Sequence, residues 1–350
     1  MSLDVAGRFA DASGYLNTAS FGLPPDTAWT AFCAAAESWR DGRAQPADYD
    51  ALITAARGVF ARLLHVPESW VAIGHQASPM IGLIAASLPD GAEVVVADGQ
   101  FTSTLFPFLA QERRGVEVRS VQFDRVADAV TARTSLVAVE AVRSDSGAVA
   151  DLAQIRAAAR DNDARVLADT TQATGWLDID ASGIDYVVCS AYKWLLSPRG
   201  TAFMSVSPEA AETLIPHAAG WYAGDDIWDS IYGAPLRLSD DARRFDISPA
   251  WLMWVGTLPA LELLEEIGVS RIGAHGIGLA NRLRGHLGLP ASDSPIVSVA
   301  VDGANEKLAA AGIRAAVRAG AARLSFALYN TEADADQAAE ALAGAATPRT

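Results

Sequence analysis

Asp169, Gln172 and Lys193 lie in one stretch, Val166 to Gly200, and their side chains could take part in covalent chemistry together. An apolar run ending at Ala168 reads as a buried strand that delivers Asp169 to its carboxyl end. A second run, Tyr186-Val187-Val188-Cys189, leads into Ser190-Ala191-Tyr192-Lys193-Trp194, and the loop closes with Ser197-Pro198-Arg199-Gly200. A lysine held among apolar and aromatic neighbours gives up its proton more readily than a solvated one, and its neutral amine can form a Schiff base with an aldehyde. If that aldehyde belongs to a pyridine-containing cofactor, an anion must also sit against the ring nitrogen to keep it protonated. Asp169 is the candidate. A plainer reading is open to the same residues: Asp169 caps a turn and Lys193 is a surface lysine leaving a strand.

Asp169-x-x-Gln172, Asp185-Tyr186, Ser190-x-Tyr192-Lys193-Trp194-Leu195 and Pro198-Arg199-Gly200 together resemble the cofactor signature of the class V aminotransferase family. These are fold-type I enzymes dependent on pyridoxal 5'-phosphate (PLP), and they include serine and phosphoserine aminotransferases, cysteine desulfurases, kynureninases and isopenicillin N epimerase. The likeness runs from about residue 15 to about residue 340. It implies catalytic roles for Lys193, which would carry the cofactor, and for Asp169 at the pyridine nitrogen. Gln172 would meet the phenol oxygen and Phe101 would stack on the ring. Gln76, Ala77, Ser78, Ser190 and Tyr192 would hold the phosphate. Ser144 stands where desulfurases have an asparagine near the phenol oxygen. Ser248, in a segment with Ile247-Ser248 where many relatives have Gly-Thr, would reach the phosphate of a partner subunit's cofactor. On the substrate side the likeness implies Asn17 and Ser20, with Arg323 as the clamp for the α-carboxylate, a role that suits a planar guanidinium. Trp221, in an aromatic loop with glycines, is a further candidate for the substrate pocket.

Lys193 and Asp169 need rigid elements behind them, and the rest of the chain supplies a pattern for these. Short apolar runs alternate with helical stretches from Glu93 onward, which predicts a mainly parallel sheet covered by helices on both faces, with ligands at the carboxyl ends of its strands. The expected fold is therefore α/β, and the resemblance makes it the PLP-dependent transferase fold of type I. The expected division is a large PLP-binding domain over residues 15–210, and a smaller α+β domain formed by residues 1–14 and 211–350. Residues 26–39 and 49–64 have helical spacing. Ser78 before Pro79 predicts a capped helix start, which leaves free amide hydrogens for a phosphate. Ala322 to Thr331 reads as a strand and turn with an acidic helix start after it.

Composition sets limits on partners and place. About half of the 350 residues are apolar, enough for a large core, and the net charge of -15 argues against nucleic acid and anionic membranes. No apolar stretch has the length of a membrane span and no leader is apparent, so the expectation is a cytoplasmic protein. The two cysteines, Cys33 and Cys189, form no metal or redox pattern. Ser190-x-x-Lys193 also matches the motif of penicillin-recognising hydrolases, but that mechanism needs a helix start and a later Lys-Thr-Gly, and neither is here. The spacing of Gly273, Gly276 and Gly278 suggests a dinucleotide loop only faintly, because no strand precedes it. The expected function is a PLP enzyme acting at the α-carbon of an amino acid as a homodimer, with transamination first. β-Elimination at a C–S bond and epimerisation are the alternatives, and a non-catalytic binding protein that kept the fold is the reading from another class. Residues 290–322 hold no cysteine, which disfavours a persulfide on the enzyme.

Overall fold

The computed structural model describes residues 3, 5 and 7–343; part of the expected N-terminal lead-in and the end of the expected small domain lie outside the described residues. Strands β1 (Val71–Gly74), β2 (Glu93–Ala97), β3 (Glu117–Val121), β4 (Thr134–Glu140), β5 (Arg165–Asp169), β6 (Tyr186–Ser190) and β7 (Ala202–Val206) form one sheet in the order β1-β7-β6-β5-β4-β2-β3. From β3 to β6 every neighbouring pair is parallel, and β7 runs antiparallel to both β6 and β1.

Strand alternation divides the apolar side chains between two faces. Val95, Val137, Val139, Val166, Ala168, Val187 and Cys189 point into one core, and Val94, Val96, Leu136, Ala138, Leu167 and Val188 into the other. The first face is covered by α1 (Asp26–Arg40) and α2 (Asp50–Leu63), the second by α3 (Ala77–Ser87) and α4 (Thr102–Leu109). Helix α5 (Leu152–Arg160) joins the first layer, whereas α6 (Pro208–Ala211) packs Ala210 on the second. Helix α7 (Trp251–Ile267) lies against α1 and α2.

A three-stranded antiparallel sheet, β8 (Ile296–Val299), β9 (Ala316–Arg318) and β10 (Ala321–Ser325) in the order β8-β10-β9, shares a third core with α8 (Val269–His286), α9 (Ala304–Ala310) and α10 (Glu332–Leu342). Leu16 from the N-terminal segment is buried in that core as well. Helix α10 begins with a capping box between Thr331 and Asp334. Helix α8 binds the two sheets together: a Cβ at Gly273 would overlap the carbonyl of Trp176, and one at Gly276 would come within 2.5 Å of the carbonyl of Phe326. Those glycines are helix-packing residues.

Two sequence expectations change. Helix α3 starts at Ala77 with Gln76 in extended conformation before it, so Ser78 is inside the first turn and does not cap it. Pro79 is tolerated there because the amides of a whole first turn lack helical partners. Strand β4 stops pairing with β5 at Glu140, opposite Asp169. Residues 211–267, expected with the smaller unit, return to the seven-stranded sheet. Asp246 binds the buried Arg57 of α2 and the amide of Ile73 on β1, and this draws the segment back along that edge. The span 269–286, with its Gly273, Gly276 and Gly278, is a helix and not a nucleotide loop. No helix among the described residues is long and apolar enough to cross a membrane.

Candidate active site

The same alternation builds the site. Glu140, Asp169 and Ser190 each lie two residues beyond Ala138, Leu167 and Val188, so all three turn toward α3 and α4 at the carboxyl ends of adjacent strands. A cavity of about 220 Å³ opens there. Asp169 is fixed through one bond to each oxygen: the Thr171 amide donates to Oδ1 at 2.9 Å and the Thr104 hydroxyl to Oδ2 at 2.8 Å. Lone pairs remain on both oxygens for a further donor.

Lys193 follows β6 in the loop closed by Pro198-Arg199-Gly200 and is buried at the cavity wall. Among the described residues its Nζ makes no hydrogen bond, and it lies 5.5 Å from the centre of the Phe101 ring and 5.6 Å from that of Tyr192. Burial pulls its pKa down to about 8, against the opposing pull of the Asp169 charge. This is an amine that gives up its proton far more readily than a solvated lysine.

At one end of the cavity, Gln76, Ala77 and Ser78 present the first turn of α3 beside Ser190 and Tyr192. The Ala77 amide donates to Ser190 Oγ at 3.0 Å, and the Ser190 amide donates to Thr171 Oγ1 at 3.0 Å. The Ser78 amide, the hydroxyls of Ser78 and Ser190 and the positive helix end suit an anion such as a phosphate. Gln172 is held on both sides: Trp194 Nε1 donates to its Oε1 at 2.9 Å, and its Nε2 donates to the Ala19 carbonyl at 2.9 Å. One amide hydrogen remains for the cavity. Phe101 caps the mouth with its ring 44% exposed.

The substrate-side candidates fall into two groups. Arg323 on β10 is buried and reaches the cavity wall at Ser144, donating to its carbonyl at 2.5 Å, while its Nη2 donates to Ser20 Oγ at 2.6 Å. Among the described residues its Nε is buried without a partner. Burial, and then the charge of Arg318, bring its pKa down to about 10. Asn17 forms a bridge to Ser325, two residues along from Arg323, and its Oδ1 is likewise buried without a partner. Trp221 and Ser248 do not line this cavity. Trp221 packs on Tyr222 and Trp228 at 5.4 Å each, and Ser248 is exposed, because the 211–250 segment is anchored on Arg57 and, through the Tyr222 hydroxyl, on Asp50.

Glu140 was hidden inside an apolar run of the sequence, yet it lines the cavity beside Asp169. Its Oε1 accepts from the Phe101 amide at 3.3 Å, and its Oε2 is 3.9 Å from Arg143. Burial and then the Asp169 charge push its pKa up to about 8. A charged residue that closes the run before a parallel strand ending in Asp169 was the available signal. Neither cysteine takes part: Cys33 is on α1, and Cys189 lies in the opposite core with its thiol pushed up to about 12 by burial. Among the described residues, no three histidine, cysteine or acidic side chains group as a metal site.

An unbonded buried amine, a fixed carboxylate with free lone pairs and an amide-lined anion end, all around one cavity, fit the chemistry of PLP. The family model for aminotransferase class-V matches residues 36–306. A probable cysteine desulfurase of Methanothermobacter thermautotrophicus is 28% identical over 241 residues, which are 65% of this chain and 59% of that protein. An isopenicillin N epimerase of Streptomyces clavuligerus is 28% identical over 272 residues, 69% of this chain and 67% of that one. The solved structure of a cystine C–S lyase with its product cysteine persulfide superposes with a TM-score of 0.84 at 22% identity, covering 96% of this chain and 99% of the other. The curated relative first named is thus matched over about three fifths of its length, and the structural likeness extends to nearly the whole chain. With more than half of its length matched by the family model, the chain belongs to the aminotransferase class-V family, whose members depend on pyridoxal phosphate.

Proposed function

We propose that the protein is a PLP enzyme that moves the α-proton of an amino acid, and that it does so as a transaminase. The observation that carries this is Lys193: a buried amine without a hydrogen bond, brought down to about pKa 8, facing Asp169 across one cavity. Bound there, PLP supplies an aldehyde that condenses with amines and a ring that withdraws electrons from the α-carbon. Lys193 would hold it, Asp169 would face its ring nitrogen, and Phe101 would lie on its ring. Gln76, Ala77, Ser78, Ser190 and Tyr192 would take the phosphate, with Gln172 and Ser144 toward the phenol oxygen. Arg323 would orient the carboxylate of the amino acid, with Ser20 and Asn17 beside it. Once displaced by substrate, the Lys193 Nζ would be the base that takes the proton from the α-carbon, a role its lowered pKa favours.

Elimination at a C–S bond is the second reading, supported by the names of the relatives. The positions of Cys33 and Cys189 count against any route through an enzyme thiol. We also read the protein as a cytoplasmic homodimer in which Ser248 serves the partner's site, since Ser248 is exposed and lies off the cavity of its own chain.

The test is borohydride reduction of the PLP-loaded protein with peptide mapping, alongside turnover of an amino-acid panel with and without a keto acid. Pyridoxyl on Lys193 and turnover that requires the keto acid are expected, and Lys193→Ala should lose about 10³-fold or more of it with folding intact. Pyruvate released from β-substituted amino acids without a keto acid would replace transamination by elimination, and an unaltered rate in the variant would overturn the role of Lys193.

A further inference from the structure

This inference rests on the proposed function and concerns the class of substrate. The protein is strongly acidic, yet three arginines converge beside Tyr192. Arg199 lies over its ring at 5.1 Å, and its hydroxyl is in the field of Arg199, Arg318 and Arg323. Two of these meet at one hydroxyl: Arg323 Nη2 donates to Ser20 Oγ at 2.6 Å and Arg318 Nη2 to the same oxygen at 3.3 Å. Among the described residues none of the three forms an ion pair, although most other arginines that bind side chains do so through carboxylates. The acid whose charge reaches Arg323, Asp145, is already taken by Arg143, which donates to it at 2.8 and 3.2 Å.

Two guanidiniums sharing one hydroxyl repel each other unless anions separate their charges. One α-carboxylate satisfies the buried Arg323 and leaves Arg318, at the exposed tip of the β9–β10 hairpin, facing the same entrance. We propose that Arg318 forms a second anion subsite beside Arg323, so that the substrate is an amino acid whose side chain carries a further negative group, such as a second carboxylate. Arg199, across the Tyr192 ring, adds to the positive field at the entrance. The field also steers such anionic amino acids into the cavity of a protein whose overall charge repels them.

The experiment titrates PLP-loaded protein with aspartate, glutamate, asparagine and glutamine, reading the shift of the cofactor's visible band, in the unaltered chain and in Arg318→Gln. Each acid should bind roughly five- to tenfold more tightly than its amide, and Arg318→Gln should bring the acids to the level of the amides while leaving the amides unchanged. Arg318→Lys should restore part of the preference. Equal affinity for acids and amides in the unaltered chain would overturn the inference, as would a preference that survives in Arg318→Gln. An equal loss for all four ligands would make Arg318 a support for Arg323 and overturn it too. A PLP-loaded protein whose band responds to no amino acid at all would instead overturn the proposed function, and the substrate class with it.

Discussion

Arg57 on α2 and Arg323 on β10 are both almost wholly removed from water, 4% and 2% exposed, and their surroundings are opposite. Behind the β1 edge, Arg57 donates to Asp246 at 2.7 and 3.3 Å and to the Val71 carbonyl, and Asp246 accepts the Ile73 amide at 2.7 Å. Burial alone would lower the Arg57 pKa, but the charge and hydrogen bonds of Asp246 reverse that and hold it up. At the cavity, Arg323 has only a hydroxyl and a carbonyl, its Nε has nothing, and burial brings its pKa down. Leaving a buried cation without an anion costs several kcal/mol, so a fold keeps one where something outside the chain completes it. The arginine paired with an acid therefore belongs to the architecture, and the one without an acid fits the ligand-binding role proposed for it.

The contrast is open to test at both sites. Asp246→Asn strands the Arg57 charge and should lower stability by about 3–5 kcal/mol in urea denaturation. A loss below about 1 kcal/mol would mean that Arg57 does not depend on its partner. Arg323→Met should leave folding stability within about 1 kcal/mol and weaken amino-acid binding by about 2 kcal/mol, roughly 30-fold, in spectral titration of the PLP-loaded protein. If its stability fell as far as that of Asp246→Asn, Arg323 would be structural after all.

The smallest effect concerns two buried titratable groups of the cavity, Glu140 and Lys193. The Glu140 pKa rises from 4.5 to about 8 on folding, so between those values the unfolded chain binds fewer protons and stability falls as pH rises. The Lys193 pKa falls from 10.5 to about 8, so above pH 8 the unfolded chain binds more protons and stability recovers. Calorimetry of the cofactor-free protein should therefore find a shallow minimum in Tm near pH 8. Glu140→Gln should flatten the acid side by about a few degrees and leave the alkaline side in place. A monotonic profile in the unaltered chain would remove both assignments.

Asp169, Gln172 and Lys193 could be read from sequence because strand, turn and loop follow one another within a single stretch, and alternation fixes which way their side chains face. The start of α3 was legible only to within a turn. Its Ser-Pro signal is local, whereas its first amide is taken by Ser190, 113 positions away. Glu140 was missed because its importance comes from sheet register against Asp169, and the one local signal, an acid in an apolar run, does not name that neighbour. Trp221 lies off the cavity because the course of its segment is decided by Asp246 meeting Arg57 across 189 positions, and Ser248, expected at a partner subunit's cofactor, follows in the same segment. Arg318 went unnoticed for the opposite reason, as an arginine at a hairpin tip looks like ordinary surface.

The two glycines of α8 that rest on Trp176 and Phe326 have a consequence for reach. Trp176 Nε1 donates to the Gln172 carbonyl at 2.7 Å, and Phe326 continues the strand that carries Arg323, so α8 works as the bar of a caliper between Gln172 and Arg323. A single methyl on the bar, by Gly273→Ala or Gly276→Ala, must open the jaws, since backbone on either side cannot fold away. The spacing between Gln172 and Arg323 is thus set in part by a helix that contributes no residue to the cavity.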